Sequence, residues 1–157
     1  ASSYDGKPLV FITTKANDYF YKTALVIQQM VKAIGIEIDL QVYDNPTLQQ
    51  YRNQPDKYDM FSGGLTAKVD PTLIAFMAEG WAGFYSSEKK SHYYGILTSE
   101  SDFDTRYKAW VEMSKVLYEE LPVITFGERN VAVVSRSHVH DLFDTTEKYY
   151  WNTWVSE

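Results

Sequence analysis

Two histidines and an aspartate fall almost together at His138-Val139-His140-Asp141. In an extended segment, residues two apart project to the same side, so both imidazoles would face one way and could begin a metal site. Closing a coordination shell needs distant ligands that no spacing in the chain supplies, so the segment reads as a polar loop and no metal is assigned. Glu100, Asp102 and Asp104 suggest a calcium loop. Counted from Asp102, however, the positions that need a turn glycine and a bidentate glutamate hold Tyr107 and Met113. Carboxylates at the start of a helix explain these acids better, because they face its positive end. Asp104 and Arg106 read as an ordinary surface pair.

Catalytic signatures are otherwise missing. The sequence has no HExxH, GxSxG, GxxxxGK or Rossmann glycine pattern, which removes local support for the common hydrolase and nucleotide-binding chemistries. With no cysteine there is no thiolate zinc site, cysteine nucleophile or disulfide scaffold. The expectation is a protein that is not an enzyme and needs no cofactor. A hydrolase using Asp59, Asp70 or a histidine is the contrasting class; two acids with separated pKa values in one pocket would support it.

Aromatic residues stand out, at 16% of the chain with 13 tyrosines. They cluster at Tyr19-Phe20-Tyr21, Trp81-Ala82-Gly83-Phe84-Tyr85 and Tyr149-Tyr150-Trp151. The middle cluster lies between helical patterns, and amphipathic rings in a loop suit the wall of a ligand cleft or an interdomain contact. Trp81, Phe84 and Tyr85 are therefore candidate ligand contacts.

The elements that must position these residues follow from periodicity. Residues 8 to 14 form an apolar run expected to be a strand, and Asn17 or Asp18 caps the helix after it. Phe20, Ala24, Ile27, Val31 and Ile34 repeat at the helical period until Gly35, predicting a helix over 17 to 34. Ile36, Ile38, Leu40 and Val42 alternate with polar residues and Tyr43, as in a strand with one buried face. Strand, helix and strand fit one right-handed crossover. Asn45-Pro46 opens a short helix, residues 58 to 62 form a third strand, Gly63-Gly64 breaks it, and Asp70-Pro71 starts another short helix. Ser86 or Ser87 caps a helix to about Thr98, and Ser101 or Asp102 caps a longer one with a stripe of Phe103, Tyr107, Trp110, Ser114, Leu117 and Leu121, widened by Val111 and Tyr118. Residues 122 to 126 and 130 to 135, separated by Gly127-Glu128-Arg129, predict a hairpin, and the run through Trp154 a last strand. The pattern predicts a single α/β domain over residues 1 to 157, with a mixed β-sheet flanked by helices.

Its 157 residues suffice for a sizeable core, and 45% hydrophobic content rules out disorder. A net charge of −6 is the wrong sign for general attraction to phosphate backbones, so nucleic acid is not an expected partner. No apolar run is long enough to cross a bilayer as a helix, and the first residues carry no signal-peptide pattern. Because it begins at Ala1, the chain is expected to be processed or a piece of something longer.

Tyr58-Asp59-Met60 followed by Gly63-Gly64 and Asp70-Pro71 resembles the C-terminal lobe of the family 5 extracellular solute-binding proteins, the oligopeptide, dipeptide and nickel receptors of ABC importers. Lys32-Ala33-Ile34-Gly35-Ile36-Glu37-Ile38 is similar to that family's helix-to-strand junction. Asp104-Thr105-Arg106-Tyr107, the run Tyr118-Glu119-Glu120-Leu121-Pro122-Val123-Ile124 and the expected hairpin from Phe126 to Ser135 resemble its last long helix and the hairpin beyond. In all, the resemblance spans about residues 7 to 143.

The resemblance implies one lobe of a type II periplasmic-binding-protein-like clamshell, in which ligand lies between two lobes that close by hinge motion. It places Gly64, Leu65, Thr66, Ala67 and Lys68 as ligand contacts, at the edge where open α/β sheets hold ligands. Peptide-binding members often carry Trp where Leu65 stands and an acid near Lys68; a lysine there would instead attract a carboxylate or phosphate. The implied function is non-catalytic capture of a peptide or other small polar solute, outside the cytoplasmic membrane, in the periplasm or on a cell-surface lipoprotein. Its partners would be the second lobe of the same receptor and an ABC permease in the membrane. A ligand-sensing domain of a transcriptional regulator is the alternative with the same fold.

Overall fold

The computed structural model describes residues 4–66, 68–130, 132–142 and 150–156. Three parallel strands form the sheet: β1 (Leu9–Thr14), β2 (Ile38–Tyr43) and β3 (Met60–Phe61), in the order β2-β1-β3. Helix α1 (Asp18–Lys32) makes the crossover from β1 to β2, and its apolar stripe buries Ala24 against Phe11 and Ile38, with Ile27, Val31, Leu40 and Met60 packed around them. Gly35 follows α1 at φ +83, a conformation that side chains resist, and the chain reverses there into β2. β1 pairs along its whole length with β2, Leu9 opposite Ile38 through Thr14 opposite Tyr43. Its four carboxyl-terminal residues, Phe11, Ile12, Thr13 and Thr14, are all buried, as expected of the middle strand of a parallel sheet.

From β2 the chain passes through α2 (Asn45–Tyr51) to β3, on the other side of β1. Asp44 caps α2 by accepting the Thr47 N–H at 2.8 Å, with Pro46 in the first turn where its missing N–H costs nothing. Asp59 fastens β3 at its start, its N–H donating to the Val10 carbonyl at 2.9 Å and its carboxylate accepting the Val10 N–H at 2.7 Å.

A second layer holds its own core. Short 3-10 turns at Pro71–Leu73 and Ala75–Met77 lead to α3 (Glu88–Ser99) and α4 (Phe103–Glu120), which pack on each other through Met77, Leu97, Ala109 and Met113. Ser87 caps α3 and Asp102 caps α4. The face of α4 differs from the expected stripe: Ala109, Met113 and Val116 are buried and Trp110 and Leu117 half-buried, while Phe103 is 75% and Tyr118 81% exposed. The stripe assumed that the largest rings point inward. One neighbouring helix can cover only a narrow face, and close approach selects the smaller residues for it.

The mixed sheet is a further correction. The three-stranded sheet is wholly parallel, and the antiparallel pairing is a separate two-stranded ribbon of β4 (Val139–His140) and β5 (Trp154–Val155). Among the described residues of 122–135 there is no strand, so the expected hairpin is absent from them. Alternating apolar residues become a strand when one face is covered, and here Ile124, Phe126, Val133 and Val134 all face solvent. No described helix is long and apolar enough to cross a membrane.

Candidate functional site

The connection leaving β1 runs toward β2, whereas the chain leaving β3 starts from the opposite side of β1. Chains that diverge from adjacent parallel strands leave a gap at the strands' carboxyl ends. A crevice of about 340 Å³ occupies this gap. Thr14, the last residue of β1, and Ser62, directly after β3, line its base. Asn17, Tyr19 and Phe20 bring the start of α1 to one wall, Asn45, Leu48, Gln49 and Arg52 bring α2 and its end to another, and Gly63, Gly64 and Arg129 complete the lining.

The base is tied together by short polar bonds. Thr13 Oγ1 and Ser62 Oγ lie 2.7 Å apart, and Thr14 Oγ1 accepts the Ala16 N–H at 3.1 Å, turning the chain toward α1. Gly64 does not owe its identity to backbone conformation, since its φ is outside the positive region. Nor is it demanded by packing: a Cβ there would meet Phe20 Cζ at 3.6 Å, an ordinary contact. A residue without a side chain at this place leaves backbone open to an approaching ligand.

Both arginines lie over aromatic rings. The Arg52 guanidinium is 5.7 Å from the centre of Trp81, and that of Arg129 is 5.6 Å from the centre of Tyr19. Tyr58 fixes the backbone beneath Arg52 by donating its hydroxyl to the Arg52 carbonyl at 2.6 Å while accepting the Gly83 N–H at 3.0 Å. Burial pushes the Tyr58 phenol above its ordinary value, so it stays protonated and able to donate.

Of the residues expected to touch ligand, Gly64 lines the crevice. Leu65, Thr66 and Lys68 follow it along the chain without lining it, and Ala67 lies outside the described residues. Trp81 packs against Phe61 at 5.8 Å and reaches the crevice only through Arg52. Phe84 sits in a turn at φ +51, its N–H donating to the Trp81 carbonyl at 2.9 Å. Tyr85 donates to Glu120 Oε2 at 2.6 Å, and burial, reinforced by that acceptor, pushes its phenol up to about 12. The rings of Trp81 and Tyr85 thus join the 81–85 loop to β3, to Arg52 at the end of α2 and to α4.

The other chemistry-bearing candidates are occupied in holding the fold. Asp70 accepts from Thr72 N and Oγ1 and pairs with Arg106 at 2.8 Å, and Asp59 holds β1 to β3. His140 stacks on Trp154 at 4.1 Å with Nε2 3.1 Å from Ser156 Oγ, and Trp154 donates to Asp141 at 3.0 Å. Among the described residues no group of three histidines or acids could hold a metal ion.

Sequence reasoning missed Thr14, Asn17, Arg52 and Arg129. A signal for the first two was present: the predicted β1 ends at Thr14, and the rule that placed ligand after β3 applies equally to the neighbouring strand's exit. Arg52 and Arg129 lie in segments whose course only the three-dimensional structure reveals. Comparison with protein-family models and with curated proteins finds no match for the chain.

Proposed function

We propose that this chain is a solute-binding lobe of an ABC-import receptor, capturing a peptide or other small polar solute without chemical change. The observation that carries this reading is the crevice at the carboxyl ends of β1 and β3, where Gly63 and Gly64 leave backbone accessible beside polar side chains of α1 and α2. Its margin is open, with Tyr19, Asn45, Gln49 and Arg129 exposed. A solute held there would be half enclosed, and a second lobe of the receptor would cover the remainder by hinge closure. The exposed apolar side chains of Ile124, Phe126 and Val134 suit burial against such a companion. The closed form would be the state that a membrane permease accepts, which places the protein outside the cytoplasmic membrane.

Nuclear magnetic resonance titration of the 157-residue chain with a tripeptide pool, followed by recovery of the peptides, tests the reading. Weak binding that shifts the Gly63 and Gly64 amides, with every peptide recovered intact, is expected. Shifts confined to other surfaces, or hydrolysed peptides, would contradict it.

A further inference from the structure

The crevice reverses the charge of the chain around it. The protein has 21 acidic residues against 15 basic ones, yet Arg52 and Arg129 line the crevice and no carboxylate does. Among the described residues no ion pair engages either arginine. Arg52 Nε is buried and has no hydrogen-bond partner among them. Arg106 Nε is also unpartnered, but the Arg106 fork already holds Asp70, whereas Arg52 has no such acid.

The two guanidiniums are held in advance of any ligand by the rings of Trp81 and Tyr19. Stacking on an aromatic face leaves the edge of the planar fork free to donate, and that edge matches the geometry of a carboxylate or phosphate. Asn17 lines the same crevice at the positive end of α1, and its side chain makes no capping hydrogen bond. Asp18, the acid in the first turn of α1, is paired with Lys22 and does not line the crevice.

Resting on the solute-binding reading, we infer that Arg52 and Arg129 together form an oxyanion clamp that takes the carboxylate or phosphate group of the captured solute. The clamp sets the solute's orientation, with its anionic end at the arginines and the remainder of the molecule along Gly63 and Gly64. Lys68 is not part of it.

Titrations of the 157-residue chain with Ala-Ala-Ala, with the same peptide as its C-terminal amide, and with inorganic phosphate test the clamp, read from the amides of Asn17, Gly63 and Gly64. At least one oxyanion should shift these amides, and if the free acid does so it should bind about tenfold or more tightly than the amide. Phosphate acting without the free acid would assign the clamp to a phosphate-bearing solute. Arg52→Met and Arg129→Met should each weaken oxyanion binding about tenfold and lower the preference for the free acid over the amide. Arg129 is on the exposed surface, so its variant carries the test if Arg52→Met fails to fold. Equal crevice binding of acid and amide would overturn the clamp while leaving solute capture standing. Silence of the crevice toward all three probes would overturn both.

Discussion

Thr13 and Ser62 meet at 2.7 Å through their side-chain oxygens, joining the carboxyl ends of β1 and β3 directly beneath the crevice. β3 has only two residues in register with β1, Met60 opposite Phe11 and Phe61 opposite Ile12, and the side chains of Asp59 and Ser62 reinforce the backbone bonds at its two ends. Thr13 is fully buried, which makes it a sensitive place to remove a hydroxyl. Thr13→Val keeps the branched shape but removes Ser62's partner, and is expected to cost about 1–3 kcal/mol in urea unfolding. Thr13→Val combined with Ser62→Ala should cost less than the sum of the two single changes, because both remove the same bond. Strict additivity would show that the two hydroxyls act independently.

Tyr58 links two parts of the chain that the backbone leaves apart, its hydroxyl joining the Arg52 carbonyl to the Gly83 N–H. Tyr58→Phe preserves the edge contact with Phe61, whose ring centre is 5.5 Å away, and deletes only the bridge. The expected loss is about 1 kcal/mol of stability. Trp81 lies two residues from Gly83 and under Arg52, so its environment should change as well. An unchanged Trp81 chemical shift in Tyr58→Phe would separate this tyrosine from the positioning of Arg52.

Where a local rule was sufficient, the sequence predicted the element. The period of Ala24, Ile27 and Val31 located α1, and Gly35 supplied the stop at positive φ. Asp102 and Ser87 were recognisable as caps because capping needs only a short polar side chain and the amides that follow it. Failures came where the outcome depends on what lies opposite. Phe103 and Tyr118 lie outside the α4 core because α3 covers another face, and the segments around Ile124 and Val133 have strand-like composition without a described strand beside them. The crevice was half visible: Gly64 follows the β3 strand that the Tyr58-Asp59-Met60 motif marked, whereas Arg52 and Arg129 converge from positions 77 residues apart.

Acid should weaken the fold through its caps. Asp44, Asp70 and Asp102 have carboxyls held below the ordinary value of 3.8, through hydrogen bonds from Thr47, Thr72 and Thr105 respectively, with Arg106 adding to the effect at Asp70. The folded protein therefore takes up protons on these groups less readily than the unfolded chain does. Their contribution is complete above the ordinary carboxylate range and is lost as pH falls through the lowered values, that is, below ~pH 4. Urea unfolding measured from pH 6 to pH 2.5 should show a falling midpoint. Asp70→Asn should be less stable than the native protein at pH 6, with the gap narrowing in acid. A gap of constant size would mean that Asp70's charge contributes nothing.

The two faces of α4 give opposite expectations for the same kind of truncation. Met113 is fully buried among Met77, Leu97 and Ala109, so Met113→Ala leaves a cavity and should cost about 2–5 kcal/mol. Tyr118, five residues along the helix, projects into solvent. Tyr118→Ala should change the stability of this chain by less than about 0.5 kcal/mol. If a second lobe covers that face in a longer receptor, the same substitution there would become costly, since the ring would then be removed from a buried contact rather than from water. Measuring Tyr118→Ala in both settings therefore reports directly on whether the exposed side of α4 meets a companion. Equal, small effects in both would leave this face in solvent and confine any contact between lobes to the crevice margin and the segment around Ile124 and Phe126.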